Sequence, residues 1–139
     1  MKATVLYKIS SVVLILFAAG HTFGFLQFKP PSPEGLAVYE AMNTVHFEVG
    51  GSKFSYGNFY RGFGLSITVF MLFEAFLAWR LGLLAGSNPG ATAVLGWALF
   101  AVQVVSVILS WIYFSAVPAA FSLAVAVGLG WASWLTSGT

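Results

Sequence analysis

Four runs of this chain are long and apolar enough to cross a bilayer, and they consume most of its 139 residues. A spanning helix needs about 20 predominantly apolar residues. The runs cover roughly Thr4–Phe28, Gly57–Leu84, Ala91–Phe114 and Val117–Leu135. Charge content points the same way. Only 7% of the residues are charged, against roughly 25% in soluble domains. A soluble body of this size would lack the charges to cover its surface, so lipid is the consistent solvent. The expected fold is all-α: a four-transmembrane-helix bundle forming one integral membrane domain over residues 1–139.

The first run begins after Lys2 and contains Ala18-Ala19-Gly20, which faintly resembles a leader cleavage site. It continues through Phe28, longer than the apolar core of a secretion signal. It therefore reads as a retained first span. Gly86-Ser87-Asn88-Pro89-Gly90 marks a turn between the second and third spans. Ala116-Val117-Pro118 marks a tighter one between the third and fourth, with Pro118 suited to a first helical turn. Short connections imply antiparallel neighbours.

The long connection lies between the first two spans. Lys29-Pro30-Pro31-Ser32-Pro33 interrupts the first helix. Ser32 is suited to an N-cap, Pro33 to the first helical position and Glu34 to the positive end of the dipole. These signals predict a short interfacial helix over 33–49, stopped by Gly50-Gly51. Val38, Met42, Val45 and Val49 would form its apolar stripe, flanked by Tyr39, Asn43 and His46.

Tyr7, Trp79, Trp97, Trp111, Tyr113, Trp131 and Trp134 fall near span ends, as in an aromatic belt. Lys2, Lys8 and Arg80 share one side. Because the first span usually dominates orientation, both termini are expected in the cytoplasm and the long connection outside. Net charge is +2 with no basic run, which gives no footprint for nucleic acid. No cysteine is present, so thiol redox chemistry and thiolate-bound metals are excluded. The fourth span places Ala116, Ala120, Ala124, Gly128 and Ala132 four residues apart. Such small residues allow close helix approach. They would serve packing within the chain, or a seam with a second copy or partner subunit through Ala120, Ala124 and Gly128.

Polar residues gather toward the outer end: His21, Tyr39, Asn43, His46, Glu48, Tyr56, Asn58 and Arg61. Gln103, Ser106 and Ser110 form a polar stripe on the third span, with Trp111 and Tyr113 at its end. An apolar chamber with a polar mouth is the usual make-up of a small-ligand site. His21 and His46 suit acid–base work because histidine titrates near neutrality. Arg61 suits a phosphate or carboxylate head. Tyr39, Asn43, Asn58, Tyr60, Gln103, Trp111 and Tyr113 complete the expected substrate contacts, with Phe17 and Phe25 among the enclosing aromatics. The plainer alternative has His21 bonded to a backbone carbonyl and Arg61 reaching for headgroups. Metal or haem held by His21, His46 and Glu48 would lack helical ligand spacing, so no metal and no cofactor are expected. Glu74 is the deepest charge, and such charges are costly in hydrocarbon. It would either lock two helices by hydrogen bonding, with Ser10 or Ser11 at similar depth, or donate a proton. Arg80, six residues on and about 9 Å along the axis, faces elsewhere.

Asn58-Phe59-Tyr60-Arg61-Gly62-Phe63-Gly64-Leu65 resembles the start of the second helix in small bacterial four-helix membrane proteins, including DoxX-like ones. Gly20-His21-Thr22-Phe23-Gly24 is similar to the histidine-containing end of their first helix. The resemblance covers under a fifth of the chain. It implies a four-helix bundle in a bacterial inner membrane and supplies no established reaction. Membrane-embedded sterol isomerases and small terpene cyclases are similar in architecture and composition alone. The expected activity is acid–base proton transfer on a lipophilic substrate, an isoprenoid or other lipid: isomerisation, cyclisation or epoxide opening. His21 and His46 would act as acid–base groups, Glu74 as a second donor. The competing expectation is a non-catalytic accessory subunit of a larger membrane complex.

Overall fold

The computed structural model describes residues 2–138 and is mostly helical. In chain order it contains α1 (Lys2–Gln27), α2 (Pro33–Thr44), β1 (His46–Val49), β2 (Ser52–Ser55), α3 (Tyr56–Leu84), α4 (Pro89–Tyr113) and α5 (Ala116–Ser137). α1, α3, α4 and α5 are each long and apolar enough to span a membrane. Local chemistry sets their limits. Ser32 Oγ accepts from the Gly35 N–H at 3.1 Å, and the Asn88 side chain accepts from the Ala91 N–H at 3.4 Å. Pro33 and Pro89 open the two helices that follow, where a missing N–H costs nothing. Ser55 Oγ accepts from the Asn58 N–H at 3.1 Å at the start of α3.

The connection departs from expectation. The helix expected over 33–49 stops at Thr44, and His46–Val49 is instead a strand paired antiparallel with Ser52–Ser55. Gly50 and Gly51 both take positive φ, +58° and +77°. That pair builds a two-residue hairpin turn rather than a helix stop. Val45 and Val49 thus leave the helical stripe that Val38 and Met42 begin.

The chain divides into two compact units, one of residues up to Ala18 together with those from Met71 onward, the other Ala19–Phe70. The first has a core of Tyr7, Leu14, Ala75, Ala78, Leu81, Leu99, Val125, Leu129 and Ala132. Between helices in lipid, apolar burial supplies no drive, so close packing and hydrogen bonds must. Ser11 Oγ donates to the Ala75 carbonyl at 2.7 Å. Ser133 Oγ donates to the Leu129 carbonyl, also at 2.7 Å, which uses its one proton. The Tyr7 hydroxyl lies 3.1 Å from Ser133 Oγ and 3.4 Å from the Thr92 carbonyl, two acceptors for its single proton. Gly96 makes the arrangement possible, since a Cβ there would land on the Tyr7 and Ser133 hydroxyls. Tyr7 is thus a fully buried knot, not a belt residue. Trp79, Trp97, Trp111, Tyr113, Trp131 and Trp134 are exposed. Lys8 Nζ lies 5.0 Å over the Trp79 ring.

The small-residue row of α5 does not stay on one face. Four residues advance a helix by about 40° beyond a full turn, so the row spirals. Ala132 is buried and Gly128 meets Ser10 of α1, while Ala120 and Ala124 face outward. Gly128 therefore packs within the chain, against α1.

Gly96→Ala should cost about 1–3 kcal/mol, as overpacking does, and Tyr7→Phe about 0.6 kcal/mol, typical of a hydrogen bond between membrane helices. In the double variant the losses should fall short of their sum, because removing the hydroxyl relieves part of the clash. Denaturation in mixed micelles checks this; strictly additive losses would contradict the packing described.

Candidate functional site

The Ala19–Phe70 unit contains a cleft of about 260 Å³. Its apolar wall comes from Phe25 and Leu26 of α1, then Phe28 and Pro30, and from Val38 and Met42 of α2. Its polar groups are Tyr39 and Asn43 of α2 and Tyr60 and Arg61 of α3. Arg61 is the one charged residue in this lining. Among the described residues no ion pair or hydrogen bond engages its guanidinium. An arginine without a carboxylate beside an apolar wall presents five N–H donors to an incoming anion.

Close approach of backbones builds the cleft. Asn43 Nδ2 donates to the Tyr39 carbonyl at 2.7 Å, one turn back, which turns the amide toward α3. There a Cβ on Gly57 would collide with Asn43 Oδ1 and lie 3.3 Å from the Met42 carbonyl. At Gly64 a Cβ would strike the Phe25 ring. Gly62 has open space around it. Two of the three glycines at the start of α3 are therefore packing sites, one against α2 and one against α1.

His21 stands behind the cleft. Its ring stacks on Phe25 at 5.8 Å and 7°, and Phe25 leans on Tyr60 at 5.2 Å. His21 Nε2 lies 3.1 Å from the Gly64 carbonyl. A carbonyl only accepts, so Nε2 carries a proton. The Thr22 and Thr68 hydroxyls meet at 2.8 Å beside it. The backbone-carbonyl contact of the plainer reading of His21 is thus present.

The other expected site residues are dispersed. His46 was expected on α2 beside Tyr39 and Asn43. It lies on β1 instead, exposed, with Nδ1 donating to the Thr44 carbonyl at 2.7 Å, and it does not line the cleft. Asn58 is exposed and likewise outside the lining. Glu74, Gln103, Trp111, Tyr113 and Phe17 belong to the other unit. Trp111 and Tyr113 are exposed there, and Phe17 stacks on Phe121 at 5.1 Å. Leu26, Pro30 and Gly35 are cleft residues that the sequence reading did not assign. The paired prolines that follow Phe28 were legible as a chain break, but not as a wall. Among the described residues no three His, Asp or Glu side chains gather as a metal-holding group.

Glu74 finds its partner on α4, not on α1: Gln103 Nε2 donates to Glu74 Oε2. Ser11, expected near Glu74, bonds the neighbouring Ala75 carbonyl instead. Gln103 is buried, and its Oε1 has no partner among the described residues. This amide–acid pair joins two spans, the contact that the helix-locking expectation for Glu74 calls for. Glu74→Gln keeps an acceptor for Gln103 and should cost about 0.6 kcal/mol or less, within the usual range between membrane helices. Glu74→Leu strands a buried N–H and should cost about 1–3 kcal/mol. Unfolding in mixed micelles compares the two; equal losses would show that the pair does not lock the helices.

Comparison with protein-family models, with curated proteins and with solved structures finds no match to this chain.

Proposed function

We propose that this integral membrane protein binds a lipophilic molecule in the cleft of its Ala19–Phe70 unit. The apolar body would lie against Phe25, Phe28, Val38 and Met42. A polar, anionic head would meet Arg61, with Tyr39, Asn43 and Tyr60 within the same lining. The single observation that carries this reading is that Arg61, without an ion pair or hydrogen bond among the described residues, is the one charged residue lining a largely apolar cleft. The likeness of Asn58–Leu65 to DoxX-like membrane proteins supports a bacterial inner-membrane setting. Lys2 and Lys8 at the start of α1 support cytoplasmic termini.

Native mass spectrometry of the purified protein should find a lipid or isoprenoid travelling with it. Arg61→Gln should reduce its retention about tenfold or more, the equivalent of one charge-assisted hydrogen bond of about 1.5–3 kcal/mol. Arg61→Lys should recover it in part, since charge returns without the planar fork. Gly57→Val should displace Asn43 and lower retention of the same molecule. Unchanged retention in both Arg61→Gln and Gly57→Val, with helix content preserved, would remove the cleft from consideration.

A second reading adds proton transfer to binding: isomerisation, cyclisation or epoxide opening of the bound molecule. The observation favouring it is the contact of His21 Nε2 with the Gly64 carbonyl, which leaves Nδ1 as the ring atom that would act as base. His21→Gln retains an N–H able to reach that carbonyl but has no basic nitrogen. Turnover of an isoprenoid or epoxide substrate should be lost in this variant while ligand retention persists. Full turnover in His21→Gln would leave binding alone as the function.

A further inference from the structure

The β1–β2 hairpin has two unlike faces. Strand residues alternate sides, and Phe47 pairs with Phe54 while Glu48 pairs with Lys53. Phe47, Val49 and Phe54 therefore share one face, and His46, Glu48 and Lys53 the other. The Gly50-Gly51 turn holds this register, and a slip by one residue would exchange the faces. On the apolar face Val49 is 60% exposed and Phe54 43%. A two-stranded hairpin is marginal in water by itself, so this face needs an apolar surrounding.

Its surroundings follow from the aromatic row that leaves it. Phe47 lies 6.1 Å from Phe54, 4.9 Å from Tyr56 and 5.7 Å from Phe59. Phe59 meets Phe63, one turn along α3, at 4.8 Å. Phe59 and Phe63 are themselves more than half exposed, on a helix long and apolar enough to span a membrane. The row thus runs without a break from the outer surface of a span onto the hairpin. A solvent that wets Phe63 from the side also wets Phe54.

We infer that the hairpin lies in the headgroup layer of the membrane that the chain spans, with Phe47, Val49 and Phe54 against lipid and Glu48 and Lys53 toward water. Elements lying in this layer bury Phe and other apolar side chains just below the headgroups, and the Tyr56 ring against Phe47 has the apolar body and polar tip that suit it. The opposed Glu48 and Lys53 cancel in charge, so insertion draws on the rings and not on attraction to anionic lipid. The hairpin joins α2 to α3, the helices that carry the polar residues of the cleft. Its anchorage is nevertheless independent of whether the cleft binds anything.

The chain contains no cysteine, so single thiols can be introduced without competition. Phe54→Cys, Val49→Cys and Lys53→Cys are spin-labelled and reconstituted in phosphatidylcholine vesicles, with helix content checked by circular dichroism. Labels at 54 and 49 should collide with oxygen several-fold more, and with a water-soluble nickel chelate several-fold less, than the label at 53. Adding phosphatidylglycerol should leave the contrast unchanged. Equal nickel access at all three positions would put the hairpin in water and overturn the inference. Immobilised labels at 54 and 49 shielded from both reagents would also overturn it, in favour of a covering protein or second copy. Val49→Cys leaves every ring of the aromatic row in place, so its label reads the face even if Phe54→Cys loosens the hairpin.

Discussion

Lipid as solvent is the constraint on which this structure depends. With so few charged residues, the chain places four apolar helices where every backbone group must be bonded within the helix. The helices gain nothing from burying apolar surface against each other, because hydrocarbon is as good a neighbour. Cohesion then falls to close approach and a handful of hydrogen bonds. The Tyr7–Ser133 contact beside Gly96, the Ser11–Ala75 bond and the Gly128–Ser10 approach are the means in one unit. Gly57 against Asn43 and Gly64 against Phe25 are the means in the other. The glycines that matter are those facing a neighbour; Gly62, with open space, belongs to the same motif and carries no such role.

The same constraint sorts the polar residues. Those that hold helices together have partners in the protein: Gln103 bonds Glu74, Thr22 meets Thr68, and His21 Nε2 bonds the Gly64 carbonyl. Arg61 has no such partner among the described residues and lies in the lining of the cleft. Lone charges in a membrane protein are costly unless they serve a ligand, a headgroup or water. The contrast between Arg61 and Glu74 is therefore more informative than the presence of either.

The span limits were legible because apolar length and Pro/Gly punctuation act locally; α3 begins at Tyr56 where Gly57 was expected and ends at Leu84 as expected. The hairpin was not, and the reason is a coincidence of periods. Val38, Met42, Val45 and Val49 recur at helical spacing, which masks the alternation of His46-Phe47-Glu48-Val49 and Lys53-Phe54-Ser55 about Gly-Gly. That alternation is a hairpin signature, and it prevails because two consecutive glycines accept the positive φ that a tight turn demands. Tyr7 misled in another way. A tyrosine near a helix end suits the interface, but its position says nothing about which way the ring points. The outcome was decided by Gly96, 89 residues away, which is invisible to local pattern.

Of the candidate site, Tyr39, Asn43, Tyr60 and Arg61 were legible because α2 and α3 flank one turn-rich connection, which keeps them close whatever its internal structure. The acid–base pair was not, because it required His46 to remain helical. Once His46 moves to a strand, one imidazole is left, held by a backbone carbonyl and separated from the cleft by the Phe25 ring that stacks on it. A base behind an aromatic wall reaches a ligand only if that wall moves. Gly64 argues against easy movement, because the Phe25 ring occupies the space a Cβ would fill there. Recognition by Arg61 needs no such rearrangement, which is why binding takes precedence over proton transfer in the reading of this protein.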